Sequence, residues 1–349
     1  MTRSGEPTIH DIAQRLGISA STVSRALKDN NLISLKMRDL VKKMALEMGY
    51  SPNILAASFR TRRTNTLGVI LPHINRHFFS SVISGIEDVA YNSGFTVTIA
   101  QSNDNYKKEA SIAHSFFANR VDGLIISIAM QTTNFDHIRL FREKNIPLVF
   151  FDRTVDEIEA NKIVVDDYAG GFKATMHLAQ QGRKRIAHIG GPGNLNIYRD
   201  RLRGFKDALR SAGLKPDESL IVFNKLTKED GLEAIKILLR NPEPPDAVFC
   251  ANDITALSVI LYLKDRKISV PEQIGIVGFS NEPFSEVVTP SISTIMQPGY
   301  AMGQKAAGLI IDEINKRPAE GNYQTLVMPT DLIVRDSSVV KKAAVLIYS

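Results

Sequence analysis

The sequence predicts an all-α N-terminal helix-turn-helix domain followed by an α/β core of two doubly wound parallel-sheet lobes. Three observations lead there. The first 50 residues carry apolar side chains at helical spacing in short runs. From Leu67 onward, apolar runs of strand length alternate with amphipathic segments, which implies a parallel sheet covered on both faces. That alternation begins again after Val164, giving two successive α/β units of similar length, and a chain of 349 residues has room for two or three domains.

In TIHDIAQRLGISASTVSRAL, Ile9, Ile12, Ala13 and Leu16 recur at i, i+3, i+4 and i+7, one apolar face of a short helix that Gly17 stops. Ser19 offers an oxygen to the free N–H groups of a second helix. There Val23, Ala26 and Leu27 face inward, leaving Ala20, Ser21, Thr22, Ser24, Arg25 and Lys28 outside. Two short helices joined by a tight glycine turn make a helix-turn-helix. The outer face of the second suits the major groove, because its first residues are small and Arg25 can donate twice to guanine. Ser34 caps a third helix whose Met37, Leu40, Val41, Met44, Ala45 and Met48 share one stripe, and Gly49 ends it. Pro52 then opens a run of only about seven helix-compatible residues before the basic stretch Arg60 to Asn65, too short to be stable alone in water.

In the first α/β unit, residues 67–72, 95–100, 122–127 and 147–151 read as buried strands, and 80–92, 107–119 and 135–144 as the helices between them. In the second, helices at 170–181, 200–212, 229–239 and 254–264 alternate with strands at 185–190, 219–223, 247–251 and 274–279.

Charge divides as sharply as pattern. Residues 1–65 hold 11 Lys and Arg against 5 Asp and Glu, whereas the rest holds 32 of each, so the net +6 belongs to the head. A basic head on a neutral body is the footprint of a phosphate-binding domain joined to an uncharged sensor. One cysteine excludes an intramolecular disulfide and a cysteine-based metal site. No apolar run reaches the roughly 18 residues that span a bilayer, and the N-terminus lacks a signal-peptide core, so the expectation is a soluble cytoplasmic protein.

Enzyme readings find little support. HIGGPGNLN departs from G-x-G-x-x-G, and Pro192 removes an N–H that a phosphate cradle would use. GFSNEP lacks the second glycine of a nucleophile elbow, which leaves Ser280 a poor nucleophile. The seven histidines show no metal spacing, and Asp166-Asp167 reads as a charged turn. The expectation is no catalytic residue, no metal and no cofactor.

Several motifs in order and spacing, TIHDIAQRLGIS, STVSRAL and GYSPN, make the chain resemble the lactose-repressor (LacI/GalR) family of bacterial transcription regulators, and the likeness continues to about Ser338. The resemblance implies a DNA-binding domain at 1–52, a hinge helix and linker at 53–65, a two-lobed effector-binding and dimerisation domain at 66–338, and a tail at 339–349. The core is then similar to periplasmic sugar-binding proteins, with lobe crossings near 164, 296 and 328 and a ligand in the cleft beyond the strands' carboxyl ends. By position, the resemblance puts Phe78, Phe79, Asp152, Arg153, Arg201, Asn252, Ser280 and Gln297 at that cleft. Ser280 stands where many relatives have an acidic residue, and Arg153 with Arg201 would tolerate an anionic effector.

The function that the resemblance implies is a homodimeric regulator, a repressor, on a palindromic double-stranded operator, with a sugar-like effector and no membrane partner. Ala20, Ser21, Thr22 and Arg25 would approach base edges, and Thr8, His10, Ser19, Ser24 and Asn53 would orient phosphate or sugar contacts. Ala56 and Phe59 fall on the hinge helix, Phe59 where the family places a leucine wedge in the minor groove. A solute receptor without DNA binding, and a co-repressor-dependent or activating regulator, are the alternatives that the sequence leaves open.

Overall fold

The computed structural model describes residues 7–50, 63–316 and 323–340, so Asn53, Ala56, Phe59, most of the 53–65 hinge and the tail beyond 340 lie outside the described residues. The chain divides into two compact units, Met1–Thr64 and Asn65–Ser349.

The first unit holds α1 (Ile9–Leu16), α2 (Ala20–Ala26) and α3 (Leu35–Glu47). A capping box starts α1: Thr8 Oγ1 accepts from Asp11 N, and Asp11 Oδ2 accepts from Thr8 N at 2.7 Å. Gly17, at φ 63°, takes the left-handed conformation that ends the helix. Ser19 caps α2 and Ser34 caps α3. Ile12, Ala13, Val23, Ala26, Val41 and Ala45 close one small core. Leu40 departs from the expected stripe at 45% exposure. At 100° per residue it lies well off the line through Val41 and Met48, beyond the reach of a three-helix core.

The second unit contains two six-stranded sheets. The elements of the first are β1 (Thr66–Leu71), α4 (His77–Asn92), β2 (Thr96–Gln101), α5 (Tyr106–Ala118), β3 (Gly123–Ile126), α6 (Asp136–Glu143), β4 (Leu148–Phe151) and β5 (Asn161–Val165). Those of the second are α7 (Asp167–Gln180), β6 (Ile186–Gly190), α8 (Asn196–Ser211), β7 (Ile221–Phe223), α9 (Lys228–Leu239), β8 (Ala247–Cys250), α10 (Asp253–Asp265), β9 (Gly275–Ser280), the short α11 (Phe284–Val287) and β10 (Ser293–Met296). The chain then returns through α12 (Gly299–Lys316) to β11 (Thr325–Met328), and ends its regular structure in β12 (Asp331–Ile333).

Lobe one has strand order β11-β5-β4-β3-β1-β2, and lobe two has β12-β10-β9-β8-β6-β7. Every pairing is parallel except that of β10 with β12. Alternation along β1 sends Leu67, Val69 and Leu71 into a core with α4 and α12, and Ile70 into the core on the other face. Lobe two is likewise covered by α7 and α8 on one face and by α9 and α10 on the other. The inner strands β1, β3, β4, β6, β8 and β9 are buried on both faces, which explains why they read as unbroken apolar runs, whereas β2 and β7, expected buried, are sheet edges with partly exposed side chains.

One close helix crossing in each lobe sets the geometry. Gly204 of α8 lies so near Tyr168 of α7, and Gly171 so near Arg201, that a Cβ on either would strike the facing backbone; Gly85 and Gly303 do the same for α4 and α12. Gly204→Val should lower stability by about 1–3 kcal/mol in chemical denaturation, through overpacking. Gly308→Ala, at a helix position with open space around its Cβ site, should be neutral or slightly stabilising.

Candidate functional site

A cleft of about 660 Å³, open to solvent, lies between the lobes. It is lined from the carboxyl ends of the strands: His73 after β1, Asp104 after β2, Met130 after β3, Asp152 and Arg153 after β4, Asn252 and Asp253 after β8, Ser280 and Glu282 at and after β9, and Gln297 after β10. Phe78 and Phe79 enter from the first turn of α4, and Tyr198 and Arg201 from the first turns of α8. All eight residues assigned to the cleft by sequence therefore line one cavity.

Arg201 organises its floor. The side chain is 3% exposed, donates from Nε to Asp167 Oδ1 at 2.7 Å and from Nη1 to the Ala251 carbonyl at 2.7 Å, and lays its guanidinium 3.5 Å above the Phe279 ring. Beneath runs an aromatic layer in which His188 stacks on Phe205 and Phe249, with centroids at 5.1 and 4.8 Å. The charged turn expected at Asp166-Asp167 is corrected here: Asp166 caps α7 by accepting from Ala169 N, and Asp167 is the buried partner of Arg201. Burial raises Asp167 to about 7, the Arg201 guanidinium offsetting that cost only in part.

Arg153 is balanced in the same way. Its Nη1 donates to Asp104 Oδ1, and its Nε stands 3.9 Å from Asp152 Oδ2. Asp104 also receives His73 Nε2 at 2.9 Å and Met130 N at 2.8 Å. Burial opposes its charge, yet Arg153 and these donors hold its carboxyl below the usual range. Asp152, at φ 58°, is pushed the other way because burial outweighs Arg153 and Arg201. Burial also raises Asp253 to about 6, although Thr294 Oγ1 and Glu282 N both donate to it. The two buried cleft arginines, Arg153 and Arg201, thus each face a carboxylate, while Arg76 and Lys225 line the same cavity.

The other cleft residues differ in what they have free. Asn252 spends both ends of its amide internally, capping α10 through Thr255 N at 2.8 Å and donating to the Leu226 carbonyl at 3.0 Å. Ser280, strained at φ 112°, donates to Gln297 Oε1 at 2.9 Å. Gln297 Nε2 and Arg153 Nε are buried without a hydrogen-bond partner. Phe78 and Phe79 pack edge to face at 5.2 Å and are nearly buried.

Two asparagines of the loop that failed as a phosphate cradle cross the cleft. Asn194 Nδ2 donates to the Met130 carbonyl at 3.1 Å, and Asn196 donates to the Asp152 carbonyl and accepts from Thr154 N, both at 3.0 Å. Sequence reasoning did not single out these residues, nor Asp104, Tyr198 or Glu282. A systematic reading of every loop after a strand would have reached them.

In the first unit, His10, Ser21 and Arg25 are exposed. Thr22 and Ser24 are half-buried, and Ala20, expected outside, is half-buried against the small core. It opens α2, where the helix enters on top of α1. Thr8 and Ser19 use their hydroxyls as helix caps, and Ser19 Oγ also lies 2.8 Å from both Ser21 Oγ and Thr22 Oγ1.

Residues 8–53 match the family described as bacterial regulatory proteins, lacI family, and residues 175–338 match the periplasmic binding protein-like domain. The chain is 33% identical over 336 residues to the HTH-type transcriptional regulator DegA of Bacillus subtilis (strain 168), covering 95% of this chain and 98% of that one. The chain belongs to the lacI family of bacterial transcription regulators. This lacI-family regulator is also 32% identical to the HTH-type transcriptional repressor CytR of Escherichia coli (strain K12), covering 95% of this chain and 96% of that one. Among solved structures it is similar to a transcriptional regulator CelR–cellobiose complex, with 28% identity, TM-score 0.72, and coverage of 95% and 100%. The family is one of DNA-binding regulators rather than enzymes. Among the described residues, no helix is long and apolar enough to cross a membrane, and no three His, Cys, Asp or Glu side chains cluster as a metal site would require.

The buried layer under the cleft gives this regulator a specific acid sensitivity. Burial holds His188 down at about 3, so between the ordinary histidine value near 6.5 and about 3 the unfolded chain binds a proton that the folded chain refuses. The contribution of His188 to stability should therefore be fully present above pH 6.5 and fall as pH drops through that window, by up to about 1.4 kcal/mol per unit, against the opposite slope of Asp167 and Asp253, which burial raises to about 7 and about 6. His188→Phe should flatten that slope by one proton in denaturation measured against pH; an unchanged slope would show that other groups carry it.

Proposed function

We propose that this protein is a homodimeric, cytoplasmic repressor that binds an approximately palindromic operator and responds to an uncharged, hydroxyl-rich effector of the sugar class in the interlobe cleft. The observation that carries the effector reading is the internal pairing of the two buried arginines, Arg153 and Arg201, which leaves polar donors and aromatic edges beside them; Arg76 and Lys225 line the same cavity. Gln297 Nε2 and Arg153 Nε are donors for ligand oxygens, and the cellobiose seen in the CelR complex is a ligand of this chemistry. The repressor reading follows the name of CytR.

In each head, Ser21, Thr22 and Arg25 would read the major groove from the outer face of α2, with Ala20 allowing close approach. Thr8, His10, Ser19, Ser24 and Asn53 would orient the backbone contacts. Two heads related by a dimer axis demand an inverted repeat. The apolar side chains left exposed at sheet edges, Ile99 on β2 and Phe223 on β7, with Tyr91 at 76% exposure on α4, support a self-complementary dimer surface. We assign residues 53–65 the role of a hinge helix that pairs at the operator centre, with Ala56 and Phe59 toward the minor groove.

Selection of duplexes from a random pool by the full-length protein should enrich one inverted repeat, with affinity falling as salt rises. Phe59→Ala should weaken that operator about tenfold or more, by removing the wedge; unchanged affinity would remove the hinge from the mechanism. Neutral mono- and disaccharides should include one that raises the melting temperature by about 5 °C at ~100-fold excess over its Kd, while its phosphorylated form has no effect. Stabilisation by the phosphorylated form alone would overturn the effector reading.

A further inference from the structure

Helix α4 begins without a cap of its own. Arg76 occupies the N-cap position in extended conformation and supplies no side-chain hydrogen bond to the helix. The first N–H groups of a helix have no partner within it and form the positive end of its dipole, so a buried or ligand-facing start needs an acceptor from elsewhere. Here the acceptor comes from the other lobe: Glu282 Oε2 accepts the His77 N–H at 3.3 Å. Glu282 is itself held firmly in lobe two, where its N–H donates to Asp253 Oδ2 at 2.8 Å and its carbonyl accepts from Ser285 N at 2.8 Å. Directly after His77 come Phe78 and Phe79, the two rings that α4 brings to the cleft.

We propose that Glu282 is a positioning residue of the cleft: a helix cap carried by lobe two for α4 of lobe one, which completes the first turn of that helix while the two lobes stand together. The proposal rests on the reading of the cleft as the effector site, but the contact it describes can be tested without any effector. Its consequence is that lobe separation is felt inside lobe one. When the lobes part, the His77 amide loses its acceptor, the first turn of α4 frays, and the placing of Phe78 and Phe79 loosens. The asparagine crossing at Asn196 engages the Asp152–Thr154 backbone instead, so the two crossings act on different walls of the cleft.

Hydrogen exchange of the full-length protein, with no ligand added, tests this. Glu282→Ala should speed exchange across residues 77–80 about fivefold while peptides of lobe two keep their rates. Glu282→Gln, which keeps an acceptor oxygen, should remain nearer to the wild type. Arg76→Asp added to Glu282→Ala supplies α4 with a local cap and should restore slow exchange at 77–80, a rescue that general damage to lobe two would not permit. Unchanged exchange at 77–80 in Glu282→Ala, acceleration spread equally through lobe two, or failure of the Arg76→Asp rescue would each overturn the proposal. None of these outcomes depends on what the cleft binds.

Discussion

The buried pair of Arg201 and Asp167 is the constraint on which the cleft is built. An arginine taken out of water at 3% exposure is tolerable only with a carboxylate and further acceptors in place. Asp167 and the Ala251 carbonyl supply them, and the Phe279 ring receives the guanidinium face. The pair joins the start of α7 to the second turn of α8 and to the end of β8, so three elements of lobe two share one polar joint. The close approach of α7 and α8 at Gly171 and Gly204 makes that joint possible, because a larger residue at 171 would displace the backbone of Arg201 itself.

Lobe one repeats the scheme with other residues. Arg153 and Asp104 tie the loops after β4 and β2, the Met130 amide adds the loop after β3, and Gly85 and Gly303 bring α4 and α12 into contact. In both lobes parallel strands deliver their carboxyl ends to one rim, and the connecting loops exchange charges there. The outcome is a polar cleft whose two buried arginines are paired within the protein, walled by aromatic edges, and crossed by Asn194, Asn196 and Glu282. The hydrogen-bonding groups at this rim are of the kind that the proposed hydroxyl-rich effector would use.

The fold was legible where burial writes itself into pattern. Apolar stripes gave α1 and α2 with their caps, and strands buried on both faces appeared as unbroken runs. Helix starts were read late: those placed at 80, 170 and 200 begin at His77, Asp167 and Asn196. Their first turns mix polar with apolar residues, His77 with Phe78 and Phe79, Asp167 with Tyr168, and Asn196 with Ile197 and Tyr198, so periodicity does not mark them. The edge strands β11 and β12 and the long α12 passed unread, since they are built from contacts with distant parts of the chain. Cleft residues came from position relative to the family, whereas their pairing was invisible in sequence. Asp167 looked like a surface turn, and the Arg153 and Arg201 charges looked available.

The balance of the cleft can be tested at its centre. In a thermal-melting titration with inorganic phosphate, against chloride at matched ionic strength, the wild-type protein should show no saturable stabilisation. Asp167→Asn leaves the Arg201 charge uncompensated and should acquire saturable stabilisation by phosphate, on a lower starting melting temperature. Saturable stabilisation of the wild type by phosphate that persists when Arg76 and Lys225 at the same cavity are replaced by Ala would contradict the account, because it would mean that the buried arginines hold charge in reserve for an anion.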